Sequence, residues 1–183
     1  VSAFGVGFLA FIAQACGAKD QDAAARASAQ ATLVTLTLGV LFTGVTLGLS
    51  GLIPRWMQVE EAIRPMASRY FFILYLPMLP RAATIIFGAL LRAAGDTKTP
   101  MKVGVAVNII NVTLNFLLIY PTRPMTLLGL TFTMPGAGLG VEGAAIASAI
   151  AVTVGGAYIT VKLWRHPLIS PRGQRFRPDW AIL

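Results

Sequence analysis

The sequence predicts an all-α integral membrane protein, a multi-helix transmembrane bundle. Three observations carry that reading. Of 183 residues, 56% are hydrophobic and 12% charged, where a soluble domain carries about 25% charged residues. Mean hydropathy is +0.72. The apolar residues fall into five stretches, and none alternates with the period of two that an outer-membrane barrel strand requires. Only helices and closed barrels satisfy the backbone in lipid, so helices remain. The net charge of +8 would suggest nucleic acid in a soluble protein. Here the basic residues lie between apolar runs, which is the membrane pattern and implies no nucleic-acid partner. The lone Cys16 excludes an internal disulfide and a cysteine zinc site, and the lone His166 excludes a multi-histidine metal cluster.

The first stretch, about 1–17, lacks charge but falls short of the roughly 20 residues a span needs. It has neither the basic start nor the cleavage site of a signal peptide, and we expect the second half of a helix. The second runs over about 28–53. The third, about 69–91, holds Pro77, Pro80 and Arg81, and so predicts a distorted helix. The fourth covers about 101–120 and the fifth about 141–163; each of these four is long enough to span. Before the fourth, Asp96 or Thr97 suits a helix cap, with Pro100 in the first turn. Residues 122–140 are rich in Gly, Pro and Thr and read as an extracytoplasmic loop. Basic residues set the orientation. Ten lie in the first, third and fifth connections against four in the second and fourth, with Arg81 inside a span. The richer set should face the cytoplasm. Residues 167–179 read as a cytoplasmic linker, and Trp180 to Leu183 as the start of a further helix.

Asn108, Asn111 and Asn115 recur at spacings of three and four, on one face of the fourth helix. Three amides on one transmembrane face point to a polar cavity that holds substrate or ion; the alternative is interhelical hydrogen-bond glue. Gly143, Ala147, Ala151 and Gly155 form a stripe for close helix packing. Ser148 beside it either meets the cavity or bonds back to its own helix. Glu142 suits the helix N-terminus, with proton uptake as a secondary role. Gly138 to Gly143 matches the letters of a dinucleotide fingerprint, but no strand is expected before it and no acid follows about 20 positions on. Arg81 is the only charge deep in a span and must face protein, water or a snorkelling route. Gln14 either lines the cavity or marks a helix end. His166 and Cys16 have no partners for catalysis.

Four segments together resemble the multidrug and toxic compound extrusion (MATE) transporters. Ala13-Gln-Ala-Cys-Gly-Ala-Lys-Asp20 resembles the end of that family's second helix. Leu90-Leu-Arg-Ala-Ala-Gly-Asp-Thr-Lys-Thr-Pro-Met101 is similar to its turn between helices four and five. Asn111-Val-Thr-Leu-Asn-Phe-Leu-Leu-Ile119 resembles its helix five, and Gly140-Val-Glu-Gly-Ala-Ala-Ile-Ala-Ser148 its helix six. The resemblance implies that residues 1–166 are a partial N-terminal lobe, helices two to six of a twelve-helix fold. Residues 167–183 would then be the linker and the start of the next helix. Taken with the polar residues above, this leads us to expect a cation or substrate cavity at Asn108, Asn111, Asn115 and Ser148, with Gln14, Arg81 and Glu142 secondary; the resemblance bears on three of them, Asn111, Asn115 and Ser148. Asn111 matches the family's helix-five Asn, whereas Asn115 stands where an Asp is usual and cannot titrate. Ser148 takes the place of the helix-six Thr.

The implied function is multidrug efflux from the inner (plasma) membrane by alternating access. Cationic or amphipathic compounds would leave in exchange for Na+ or H+, with no cofactor and with the second lobe of the same chain as partner. A lipid-linked oligosaccharide or polysaccharide flippase of the same superfamily is the first alternative. It would need a cationic cavity, to which only Arg81 contributes here. A half-size subunit that dimerises through the small-residue stripe is another. A membrane-embedded transferase lacks its constellation: no paired acidic motifs flank a span, and the histidine stands outside the spans. We expect no enzyme.

Overall fold

The computed structural model describes residues 2–127, 130–172 and 174. Seven helices and one hairpin follow in order: α1 (Ser2–Gly17), α2 (Gln21–Leu49), α3 (Ile53–Trp56), α4 (Arg64–Tyr75), α5 (Met78–Ala93), α6 (Lys98–Ile119), β1 (Pro121–Leu127), β2 (Leu130–Ala137) and α7 (Gly140–Trp164). Among the described residues, four segments are long and apolar enough to cross a membrane: α2, α4–α5 taken as one run, α6 and α7. At 16 residues, α1 reaches about 24 Å at 1.5 Å per residue.

Local chemistry places each helix end. Lys19 takes a left-handed backbone, φ 59°, which closes α1. Asp20 then caps α2, its carboxylate accepting from the Ala23 N–H at 2.9 Å. The cap starts α2 seven residues before the apolar run expected from residue 28. Asp96 does the same for α6, accepting from the Thr99 N–H at 2.9 Å, while Thr97 makes no side-chain cap. Hydrogen bonding from Thr99, first from its side chain and then from this N–H, holds the Asp96 carboxyl below its usual range.

The third stretch is one span with a break in it, the distortion its prolines lead one to expect. It breaks at Leu76–Pro77, between α4 and α5. Pro77 and Pro80 lack N–H groups, so the Ile73 and Leu76 carbonyls lose their i+4 donors. Glycine lets α7 seat against the break. A Cβ on Gly156 would lie 2.6 Å from the Pro80 carbonyl oxygen.

Residues 122–140 were expected as a loop, and most of them form an antiparallel hairpin. β1 pairs with β2 from Pro121↔Ala137 to Leu127↔Leu130, with a bulge between Pro121 and Arg123. Thr122 Oγ1 donates to the Gly136 carbonyl and accepts from the Gly136 N–H, both at 3.2 Å. Gly136 is required there, because a Cβ would collide with the Tyr120 carbonyl. The hairpin satisfies the backbone of a segment too polar and proline-rich for a helix. It also corrects one premise above, since a strand does precede Gly138. The fingerprint still fails, because the sheet is a two-stranded hairpin and the helix that follows is an apolar span.

The core joins α1, α2, α5, α6 and α7 through Phe8, Ile12, Ile86, Leu90, Val103 and Ile159, with Ile169 from beyond α7. The expected linker therefore begins by folding back. Ile169 and Pro171 are fully buried, and Leu168 lines a pocket with Cys16, Lys19 and Asp20 of the α1–α2 turn. His166 feels the charge of Asp96 in the α5–α6 turn. The first, third and fifth connections thus gather at one end. The expected helix start at 180–183 lies outside the described residues.

Candidate functional site

The site is built where α6 crosses α7. The stripe Gly143, Ala147, Ala151, Gly155 is buried throughout, and it removes the side-chain bulk that would hold the helices apart. A Cβ on Gly143 would stand 2.7 Å from the Leu118 carbonyl oxygen, and one on Gly155 would collide with Val107. Between these contacts the helices are close enough for short polar side chains to meet.

There Asn111 donates from Nδ2 to Ser148 Oγ at 3.0 Å. One turn along α6, Asn115 Nδ2 donates to Asn111 Oδ1 at 2.8 Å. The two bonds form a directed chain, Asn115 to Asn111 to Ser148. Its far end is open: Asn115 Oδ1 is buried and accepts no hydrogen bond. An unsatisfied buried carbonyl oxygen costs about 1–3 kcal/mol and calls for a partner. Oδ1 of both amides and Oγ of Ser148 are neutral hard donors, the chemistry that suits a hard cation. No carboxylate joins them.

The other expected residues stand apart. Asn108 is exposed and makes no side-chain hydrogen bond among the described residues. The seven residues from Asn108 to Asn115 turn α6 to only about 20° short of two turns, so Asn108 shares a face with Asn115 and differs in finding no partner there. Gln14 is exposed on α1. Glu142 opens α7 and pairs with Arg69 of α4, Nη1 to Oε1 at 3.6 Å. Arg81, half-buried in the first turn of α5, has no ion-pair partner among the described residues.

Sequence reasoning missed a second feature. A groove of about 730 Å³ opens between α2, the α4–α5 break and α7, lined by Val40, Thr43, Leu76, Pro77, Ile150 and Thr153 among others. It contains none of the four cavity residues. Both threonines are occupied: Thr43 donates to the Gly39 carbonyl and Thr153 to that of Ala149. The walls are therefore apolar in effect. Pro77 and Pro80 were the visible signal, since a break in a packed helix leaves space beside it.

The MatE family model matches residues 1–117. The chain belongs to the MatE family. MATE proteins are transporters, and this chain, with its long apolar helices, is a multi-pass membrane protein. The probable multidrug resistance protein NorM of Thermotoga maritima is 27% identical over 170 residues, covering 93% of this chain and 34% of that protein. The fold matches a MATE transporter of the MOP superfamily in an inward-facing conformation. The TM-score is 0.82 at 24% identity, over 99% of this chain and 38% of the other. An outward-facing MATE transporter matches with a TM-score of 0.80 at 24% identity, over 99% of this chain and 37% of the other. The chain thus spans just over a third of the length of the MATE proteins it matches.

Proposed function

We propose that this chain is the N-terminal lobe of a secondary active multidrug antiporter of the plasma membrane. The complete protein exports cationic or amphipathic compounds in exchange for Na+ or H+ by alternating access. Membership of the MatE family and the likeness to NorM support the transport class. The observation that carries a role for this lobe is the Asn115–Asn111–Ser148 chain with its unsatisfied Asn115 oxygen. Three neutral oxygens can coordinate Na+ or hydrogen-bond a hydronium, and no group in that set titrates near neutral pH. The lobe's contribution to coupling is therefore binding, and proton release belongs to a group elsewhere in the protein.

The test is ethidium efflux from proteoliposomes of the complete protein under an imposed sodium or proton gradient. Asn111→Ala and Asn115→Ala are each expected to raise the coupling-ion concentration needed for half-maximal efflux by about tenfold, the loss of one or two oxygen contacts. Unchanged ion dependence in both variants would remove the amide chain from the mechanism. A flippase for lipid-linked sugars is the second reading, favoured by Arg81 alone. Movement of a fluorescent lipid-linked sugar without gradient-driven drug efflux would establish it.

A further inference from the structure

A narrow groove of about 200 Å³ runs between α6 and α7, and its lining includes none of the asparagines. Lys102, Ala106 and Ile110 form the α6 wall, and Val154 and Tyr158 the α7 wall. Gly155, also in the lining, lets the walls approach, because a Cβ there would collide with Val107 of α6. The groove follows the helix axes. Lys102, Ala106 and Ile110 recur every four residues, as do Val154, Tyr158 and Lys162. At 1.5 Å per residue each row is about 12 Å long.

The two ends of the groove differ in chemistry. Lys102 stands in the second turn of α6 and Lys162 in the last turn of α7. Both belong to the end of the bundle where the basic connections gather, which the positive-inside rule assigns to the cytoplasm. Lys162 Nζ lies 5.6 Å from the Tyr158 ring centroid, which draws the ammonium back over the α7 wall. Tyr158 suits this depth, with its ring against hydrocarbon and its hydroxyl toward the interface. α6 carries no carboxylate, and the only one on α7, Glu142, is at the other end of that helix. Asp96, just before α6, caps that helix through the Thr99 N–H. Deeper in the span the groove is apolar, at Ala106, Ile110 and Val154. A ligand that matches both ends has an anionic head and a hydrocarbon tail. A free phosphate leaves the apolar rows uncovered, and a neutral lipid leaves the ammoniums without a counter-charge. A basic groove between helices at the cytoplasmic interface is a recurrent setting for anionic headgroups.

We propose that the α6–α7 groove binds one anionic phospholipid of the cytoplasmic leaflet. Its phosphate rests on Lys102 and Lys162, and an acyl chain lies along Ala106, Ile110 and Val154. The ligand is a component of the bilayer rather than cargo, so the site stands apart from the transport reading. The lipid bridges the two helices that carry Asn111 and Ser148.

Native mass spectrometry of the complete protein in a neutral detergent tests this, with phosphatidylglycerol, phosphatidylcholine of the same acyl chains and glycerol phosphate titrated in turn. The wild type should bind phosphatidylglycerol about thirtyfold more tightly than phosphatidylcholine, the value of two lysines beside an anionic headgroup. Lys102→Gln and Lys162→Gln should each weaken phosphatidylglycerol about fivefold, and the double variant should lose the preference. Ala106→Phe keeps the charge and fills the apolar row, and should lose both lipids from the groove. Equal binding of the two lipids by the wild type overturns the proposal. So does unchanged phosphatidylglycerol binding in the double variant, the result expected if another part of the same chain covers the groove. Displacement by an equal concentration of glycerol phosphate would assign the lysines to a free phosphate and overturn it as well. Should the double variant fail to fold, Ala106→Phe decides, since Ala106 is exposed: unchanged binding there overturns the proposal. Drug efflux enters none of these outcomes, so the antiporter reading is judged separately.

Discussion

Asn115 ends the amide chain with an oxygen that nothing donates to, and this asymmetry gives the α6–α7 crossing its chemistry. Asn111 is the pivot, because it donates to Ser148 and accepts from Asn115. Asn111→Ala removes both bonds, about 0.6 kcal/mol for the interhelical one and about 0.2–0.5 kcal/mol for the i,i+4 one within α6, a loss of about 1 kcal/mol. Reversible unfolding in detergent should show it. The Asn111→Ala and Ser148→Ala cycle should show a coupling of about 0.6 kcal/mol, and zero coupling would mean the contact is incidental. His166 sets a second expectation. Burial lowers its pKa from the ordinary 6.5, opposed in part by the Asp96 charge. The Leu168 N–H donates to Nδ1 at 3.3 Å, which requires that nitrogen to be unprotonated. The folded state thus binds fewer protons here than the unfolded state. Its stability contribution is complete above pH 6.5 and is lost as pH falls through the lower folded value. The melting temperature should decline as pH falls below about 6.5, and His166→Gln should flatten that decline. The spacing of the asparagines was legible in the sequence. Which of them would bond was not, because Asn108 and Asn115 lie within about 20° of each other around α6 and only Asn115 finds an acceptor in Asn111.

At the scale of elements, close approach governs. Gly143 meets backbone of α6 and Gly156 meets backbone at Pro80, whereas nothing lies within 4 Å of a Cβ at Gly48 on α2. Gly143→Ala and Gly156→Ala should each destabilise by about 1–3 kcal/mol, the cost of overpacking against atoms that cannot rotate away. Gly48→Ala should be neutral or slightly stabilising. Equal effects at the three positions, measured by thermal unfolding, would mean that helix propensity rather than packing sets the outcome. The small-residue stripe was readable from its four-residue repeat. The Gly156–Pro80 contact was not, since its two residues are 76 apart in sequence and only the α4–α5 break brings them together. The hairpin was hidden for another reason. Its prolines and glycines speak for turns, while the pairing of β1 with β2 depends on a register that composition does not encode.

At the scale of the whole molecule, charge placement sets sidedness. The three basic connections meet at one end of the bundle, and the hairpin joins α6 to α7 at their other ends. The positive-inside rule puts the basic end in the cytoplasm. In a Cys16→Ser background, Thr133→Cys in β2 should react with an impermeant maleimide on intact cells. Lys98→Cys should react only after permeabilisation. The reverse pattern would invert the topology.

The membrane class, the helical bundle, the approximate spans and the MATE resemblance were determined by the sequence itself. Each rests on local quantities: apolar run length, charge placement, and motifs of consecutive residues. The tertiary structure decided the split of the third stretch, the hairpin, the fold-back of residues 167–172 and the selection of Asn111, Asn115 and Ser148 over Asn108. Each of these depends on what a residue meets from a distant part of the chain. A side chain's spacing says which way it points, and only packing says whether anything is there to receive it.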